Sequence, residues 1–210
     1  TLKIPELLLE WRSRSGLTAA FTAGGEVRRA VTAPEIDVGV RVTPTSLAKL
    51  GADIPSVRRA SGTLQAELRV TGPITALRYA GSAELKDGEL DVEGLPVPLD
   101  EIDVGITIGG GEVRLSRASA KLGSGTITAT GRMPLRGLTL GTAQATVTAR
   151  SVKLPVADGV NLTADADLDV SFRPSLGEEE GEARELPDVR GTISLTSFSY
   201  TRPIALSVDL

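Results

Sequence analysis

Apolar and polar residues alternate with period two along nearly the whole chain. "EIDVGVRV" turns Ile36, Val38, Val40 and Val42 one way and Glu35, Asp37 and Arg41 the other. "TLQAELRVTG" repeats the pattern with Leu64, Ala66, Leu68 and Val70 against Gln65, Glu67 and Arg69. "EIDVGITIG" gives Ile102, Val104, Ile106 and Ile108 against Glu101, Asp103 and Thr107. The longest run, "VNLTADADLDVSF", keeps Val160, Leu162, Ala164, Ala166, Leu168, Val170 and Phe172 on one parity. Alternation of this kind is the signature of strands with one apolar face. At about 3.3 Å per residue, such runs predict strands of roughly 25–40 Å.

Local signals refine the pattern. "GSAELKDGELDVEG", Gly81 to Gly94, reads as a hairpin with a type I′ turn at Asp87–Gly88, because both positions of that turn need positive φ. That register sets Leu85 against Leu90, Ala83 against Val92 and Lys86 against Glu89. Two phase slips, from Leu115 to Ala118 and from Leu195 to Phe198, predict bulges, since one extra residue restores the apolar side after a bend. "TPTSLAKLG" predicts a turn or two of helix over Leu47–Leu50, capped by Thr or Ser and stopped at Gly51. "IPELLLEWR" reads as a strand with Leu7, Leu9 and Trp11 on one side, or as a short helix after Pro5. The acidic stretch "GEEEGEARELP" lacks apolar period and predicts a solvated mobile loop over residues 177–186. There is also an internal echo: "LRVTGPITALRYAGSAEL" resembles "LDVSFRP…LPDVRGTISL", with Gly81-x-Ala-x-Leu85 matching Gly191-x-Ile-x-Leu195.

Composition narrows what such strands can do. With 210 residues, 40% of them hydrophobic, the chain can bury a sizeable core, yet aromatics are only 3%. The 23 glycines and 12 prolines suit many strands joined by turns. A net charge of −4 argues against a nucleic-acid partner, which requires a basic face. Cysteine and histidine are both absent, which removes disulfides, thiolate nucleophiles, His-assisted triads and the usual zinc, copper and haem ligands. No window reaches the roughly 18 consecutive apolar residues of a membrane span. The chain starts at Thr1 and stops inside the alternation "IALSVDL", so it reads as one elongated β segment, residues 1–210, of a longer protein, with any targeting or anchoring segment outside it.

Candidate chemical groups resolve into surface. Asp165, Asp167 and Asp169 have strand spacing, roughly 6–7 Å apart, without the bend that gathers carboxylates around calcium. Glu89, Asp91 and Glu93, like Asp100, Glu101 and Asp103, alternate with apolar residues and lack the cleft that raises one pKa in a glycosidase pair. "GITIGGGE" and "LGSGTIT" have neither the lysine of a P-loop nor a following helix, so they read as turns. The glycosylation triplet at Asn161 lies inside a strand, and Arg28-Arg29 and Arg58-Arg59 are isolated doublets. No catalytic residue, metal or cofactor is expected.

What remains is the apolar face. In a closed sandwich, two such faces must fill about 10 Å between sheets with bulky side chains. In a single sheet curled like a taco shell, they line a trough that need not be filled. Small aliphatic linings leave room, and an apolar trough open to water calls for an apolar occupant. The expected fold is therefore all-β: long antiparallel strands curled into a U-shaped groove with an apolar interior. Its expected lining is Val38, Val40, Leu64, Leu68, Val70, Leu85, Leu90, Val92, Ile102, Val104, Ile106, Ile108, Val113, Leu115, Ile127, Leu162, Leu168, Val170, Ile193 and Leu195.

The order of motifs from Gly81 to Gly131 resembles the TamB family, the AsmA-like translocation and assembly module proteins of Gram-negative envelopes. A Gly-x-apolar-x-Leu strand with Asp-Gly comes first, then Ile-x-x-x-Ile-x-Ile and Gly-Gly-x-Val-x-Leu strands. "AKLGSGTITATG" closes the set. The likeness extends more loosely from Gly62 to about Tyr200 and is weakest over residues 1–50. It implies a periplasmic β-groove, anchored in the inner membrane through a segment outside this chain. Such a groove would carry phospholipid toward the outer membrane, or assist barrel assembly with an Omp85-type partner, TamA. The family offers no catalytic residues to carry over, and the acidic loop departs from its pattern. A rival expectation is a closed β-sandwich or solenoid with a structural or adhesive role. For an excised groove segment, self-association through strand edges is also expected.

Overall fold

The alternating runs become strands, and the strands pair in chain order. The computed structural model describes residues 1–12, 18–28, 34–48, 56–137, 139–173 and 186–201. Its elements are β1 (Leu2–Arg12), β2 (Thr18–Arg28), β3 (Glu35–Ser46), β4 (Val57–Pro73), β5 (Arg78–Val92) and β6 (Leu99–Gly109). They continue with β7 (Glu112–Leu122), β8 (Gly125–Arg136), the two-residue β9 (Thr139–Leu140), β10 (Ala143–Ala157), β11 (Val160–Phe172) and β12 (Asp188–Tyr200). Each strand pairs antiparallel with the next along the path β1 to β8, then β10 to β12, and β9 pairs only β8. The result is one open all-β sheet, free of helix among the described residues. Extensive contact is confined to ladder neighbours, so the β1 and β12 edges do not close on each other.

A single layer cannot bury much. Among the described residues, the buried apolar side chains are Ala19, Ala60, Leu122, Ala143 and Val152, and no large side chain is fully enclosed. On the inner strands most of the apolar set is half-buried on one side of the sheet, while on β1 and β12 the large apolar residues Leu7, Leu9, Ile193 and Leu195 are exposed. That side is the more enclosed of the two: on β5, Ala83 on the apolar side is half-buried, whereas Ala80 on the polar side is exposed.

Bulges bend the strands. The expected slips are present, between Leu115 and Ala118 on β7 and at Thr196 on β12, where Thr163 faces Ser197 and Ala164 faces Leu195. Thr196 Oγ1 donates to the Thr163 carbonyl across the irregularity, 3.2 Å away. Further bulges interrupt β3 between Val42 and Thr45, β6 between Asp100 and Asp103, and β10 between Ala149 and Val152. The strand reading of "IPELLLEWR" holds: Leu7, Leu9 and Trp11 face Ala23, Phe21 and Ala19.

One expectation fails. Asp87–Gly88 makes no hairpin, because β5 runs straight through it. Leu85 faces Leu64 and Val104, Leu90 faces Ala60 and Leu99, Ala83 faces Ala66 and Ile106, and Val92 faces Val57. Lys86 faces Thr63 and pairs with Glu84, while Glu89 pairs with Arg59. Asp87 does take positive φ, at 51°, but as the extra residue of a bulge between Leu85 and Gly88. A bulge and a turn draw on the same conformational preference, and here the neighbouring strands decide between them. The start of "TPTSLAKLG" belongs to β3, since Thr45 and Ser46 pair with Leu64 and Thr63. The expected helix continues into residues 49–51, which lie outside the described residues, as do residues 177–185 of the acidic stretch.

Candidate functional site: an apolar trough

The ladders align the apolar positions of successive strands into rows that run across the sheet. One row is unbroken from edge to edge: Leu9, Phe21, Val42, Ala66, Ala83, Ile106, Leu115, Gly131, Ala145, Val170 and Val189. The next row carries Leu64, Leu85, Val104, Ala118, Ala129, Val147 and Leu168. On the other side of the first lie Leu7, Ala23, Val40, Leu68, Gly81, Ile108, Val113 and Met133. With strands about 4.8 Å apart, a row across the whole path spans close to 50 Å.

Every lining residue expected from the sequence falls on this side. Val38 and Val70 share a row. Leu90 stands beside Leu99, and Ile102 faces Gly88. Ile127 stands beside Ala149, and Leu162 beside Leu154. Ile193 and Leu195 also lie on it but on the edge strand, where they are 66% and 68% exposed. Residues the sequence reading passed over complete the surface, notably Phe21, Ala23, Ala145, Val147 and Ala149. Their alternation was visible on β10, where "AQATVTARSVKLPVA" slips phase at Arg150–Ser151. On β2 it was masked by the Gly24–Gly25 pair.

The opposite face is a field of ion pairs. Arg69 grips Asp37 with two donors at 2.8 Å each, Lys121 reaches Glu101 at 2.5 Å, and Arg58 and Arg59 meet Asp91 and Glu89, each at 3.0 Å. The hydrogen bond from Arg69 holds the Asp37 carboxyl below its ordinary pKa. Lys86, then Gln65, do the same for Glu84, and Arg150 for Asp167. These pairs face water and are worth little singly.

The acidic clusters thereby acquire structural partners. Asp165 accepts the Ser151 backbone N–H at the β10 bulge, 2.7 Å away. Asp167 accepts from Arg150 at 2.7 Å, and Asp169 from the Thr146 hydroxyl at 3.0 Å. No group of carboxylates with metal-binding geometry occurs among the described residues. The polar side does carry shallow channels between rows of side chains, one bounded by Arg114, Arg132, Gln144, Ser171 and Asp188. Charges of both signs line it, and it lacks a buried polar group aimed inward.

Two polar side chains stand on the apolar side among the described residues: Thr45, beside Leu64, is buried and donates to the Thr43 carbonyl at 2.8 Å, and Tyr79 has no such partner. Tyr79 stands beside Val70, and its hydroxyl is buried without a hydrogen-bond partner. Among the described residues, no helix is long and apolar enough to cross a membrane. Comparison with family models, with curated proteins and with solved structures gives no match to this chain.

Proposed function

We propose that this chain is a segment of a periplasmic lipid-transport bridge, in which phospholipid acyl chains lie along the apolar side while head groups stay at the open mouth. The observation that carries this reading is the unbroken row from Leu9 to Val189. A single layer with no covering element among the described residues leaves that row half-exposed, and a surface of this size needs an apolar occupant. The charged outer face keeps the same sheet in water. The bridge would be held to the inner membrane by a segment outside this chain and meet an Omp85-type partner at the outer membrane. No nucleic acid, cofactor or catalytic step enters this reading.

A second reading, help with barrel assembly, has its own support. From Gly191 to Tyr200 the β12 edge carries no charged residue, while Ile193, Leu195, Phe198 and Tyr200 are exposed. Such an edge accepts an added strand, from a client or from a second copy of this chain.

Strand parity tests both. Ile106 and Thr107 are adjacent, yet Ile106 faces Leu115 on the apolar side and Thr107 faces Arg114 on the polar side. A photo-crosslinking amino acid at Ile106 or Val104, in cells, should capture phospholipid, and one at Thr107 or Asp103 should not. Equal labelling at both parities would end the lipid reading. Capture of barrel polypeptide in place of lipid would favour assembly.

A further inference from the structure

Four glycines on the apolar side lie where a neighbouring strand leaves no room for a side chain. A Cβ on Gly25 would stand 2.1 Å from the Asp37 carbonyl oxygen, and one on Gly81 would stand 2.3 Å from that of Glu67. On Gly131 it would come within 2.8 Å of the Gln144 carbonyl oxygen, and on Gly191 within 2.0 Å of that of Asp167. In an ordinary pleated ladder, Cβ points out of the sheet and clears the next main chain. At these four residues the main chain is turned so that the Cβ direction meets the adjacent strand, the local geometry of a glycine kink that curls a sheet.

Their placement is regular. From Gly25 the ladder runs through Val38 and Val70 to Tyr79, and two residues along β5 is Gly81. From Gly81 it runs through Ile108 and Val113 to Met133, and two residues back along β8 is Gly131. From Gly131 it runs through Ala145 and Val170 to Val189, and two residues along β12 is Gly191. Each step crosses three ladders and moves one apolar row, about 14 Å across and 7 Å along. Gly62, Gly88, Gly123 and Gly125 are crowded too, but Gly123 lies in the turn between β7 and β8, and each of the other three abuts a bulge that accounts for the contact. On β5 and β12 a bulge follows the glycine further along the strand, at Asp87 and Thr196, which gives the sheet a second bend.

We infer that Gly25, Gly81, Gly131 and Gly191 form one diagonal crease that sets how far the two halves of the sheet fold, and with it the width of the apolar trough. A methyl at any of the four positions pushes the neighbouring strand away and opens the fold. The consequence for a guest rests on the lipid reading above; the crease itself does not. The sequence echo that matched Gly81 to Gly191 is, in this light, two points on the same line.

The absence of cysteine makes the test direct. Thr126→Cys and Arg136→Cys are exposed, lie on β8 either side of Gly131, and are free of an intervening β8 bulge, so they can carry spin labels. Pulsed dipolar spectroscopy on the purified chain should give a changed label separation for Gly131→Ala relative to the parent. Gly39→Ala, where a Cβ meets nothing within 4 Å, should leave the separation unchanged. Labels at Arg78 and Lys86, both exposed and with no bulge between them, report Gly81→Ala on β5, should circular dichroism show that Gly131→Ala does not fold. A folded crease variant with an unchanged separation overturns the inference. Bound phospholipid is measured on the same samples by solvent extraction and mass spectrometry. A changed separation with altered lipid supports crease and width together. A changed separation with unaltered lipid keeps the crease and refutes its control of the guest. Absence of lipid from parent and variants alike removes the lipid reading and leaves the crease standing.

Discussion

Gly88 stands directly opposite Ile102, and a Cβ on it would come within 2.8 Å of the Ile102 Cβ. The glycine is required by that close approach across β5 and β6, since the positive φ of the bulge belongs to Asp87. Gly88→Val should therefore cost about 1–3 kcal/mol through overpacking, seen as a lower midpoint in thermal or urea melts. The mechanism has a second signature. Trimming the partner, as Ile102→Ala, should recover part of the loss in the double variant, whereas a purely conformational penalty at Gly88 would simply add.

The buried Tyr79 hydroxyl gives a prediction of the opposite sign. An enclosed donor without a partner has lost its water and gained nothing in return. Tyr79→Phe keeps the ring beside Val70 and deletes only that liability. Stability should stay level or rise by about 0–1 kcal/mol in a urea melt. A clear loss would mean that the hydroxyl is bonded in solution.

Acid sensitivity follows from the polar face. Asp37, Glu84 and Asp167 have folded pKa values below their ordinary ones, caused chiefly by hydrogen bonds from Arg69, Lys86 and Arg150. A carboxyl whose folded pKa is depressed contributes stability above its unfolded value. That contribution is lost as pH falls through the folded value. Melting temperature should therefore hold from neutral pH to about pH 5 and decline below about pH 4, where unfolded carboxylates begin to bind protons. With no histidine in the chain, no side chain of ordinary pKa titrates between about pH 5 and pH 8. Asp167→Asn should flatten the acid limb, because it removes a carboxyl whose pKa differs between folded and unfolded states. A steep transition near pH 6.5 would contradict this assignment.

How much of this was legible in the sequence depends on the range of the forces involved. The parity of Ile36 to Val42, Leu64 to Val70 and Ile102 to Ile108 was readable because burial on one face imposes period two. The slips at Leu115–Ala118 and Leu195–Phe198 were readable for the same reason. Asp87–Gly88 misled because its φ preference is local, while its use in a bulge is imposed by β4 and β6 on either side. The diagonal of glycines was beyond reach, since each member is an unremarkable residue until the registers of nine ladders fix its row.

The trough itself is tested by placing a charge on each side of one strand. Ile106 is half-buried between Ala83 and Leu115, so Ile106→Asp sets a carboxylate among apolar neighbours with no cation facing it. The expected cost is about 1–3 kcal/mol, at the low end because the open layer lets water reach the group. Thr107 is exposed and faces Arg114, so Thr107→Asp gains an opposite charge across the ladder and should stay within about 0.5 kcal/mol of the parent. Stability and lipid loading must be read separately, since a charge on the floor obstructs an acyl chain whether or not the sheet survives. Under folding conditions for all three proteins, Ile106→Asp should carry less extractable phospholipid than the parent and Thr107→Asp the same amount. Equal loading in both variants would place the lipid elsewhere. Equal destabilisation would contradict the assignment of Ile106 and Thr107 to opposite faces.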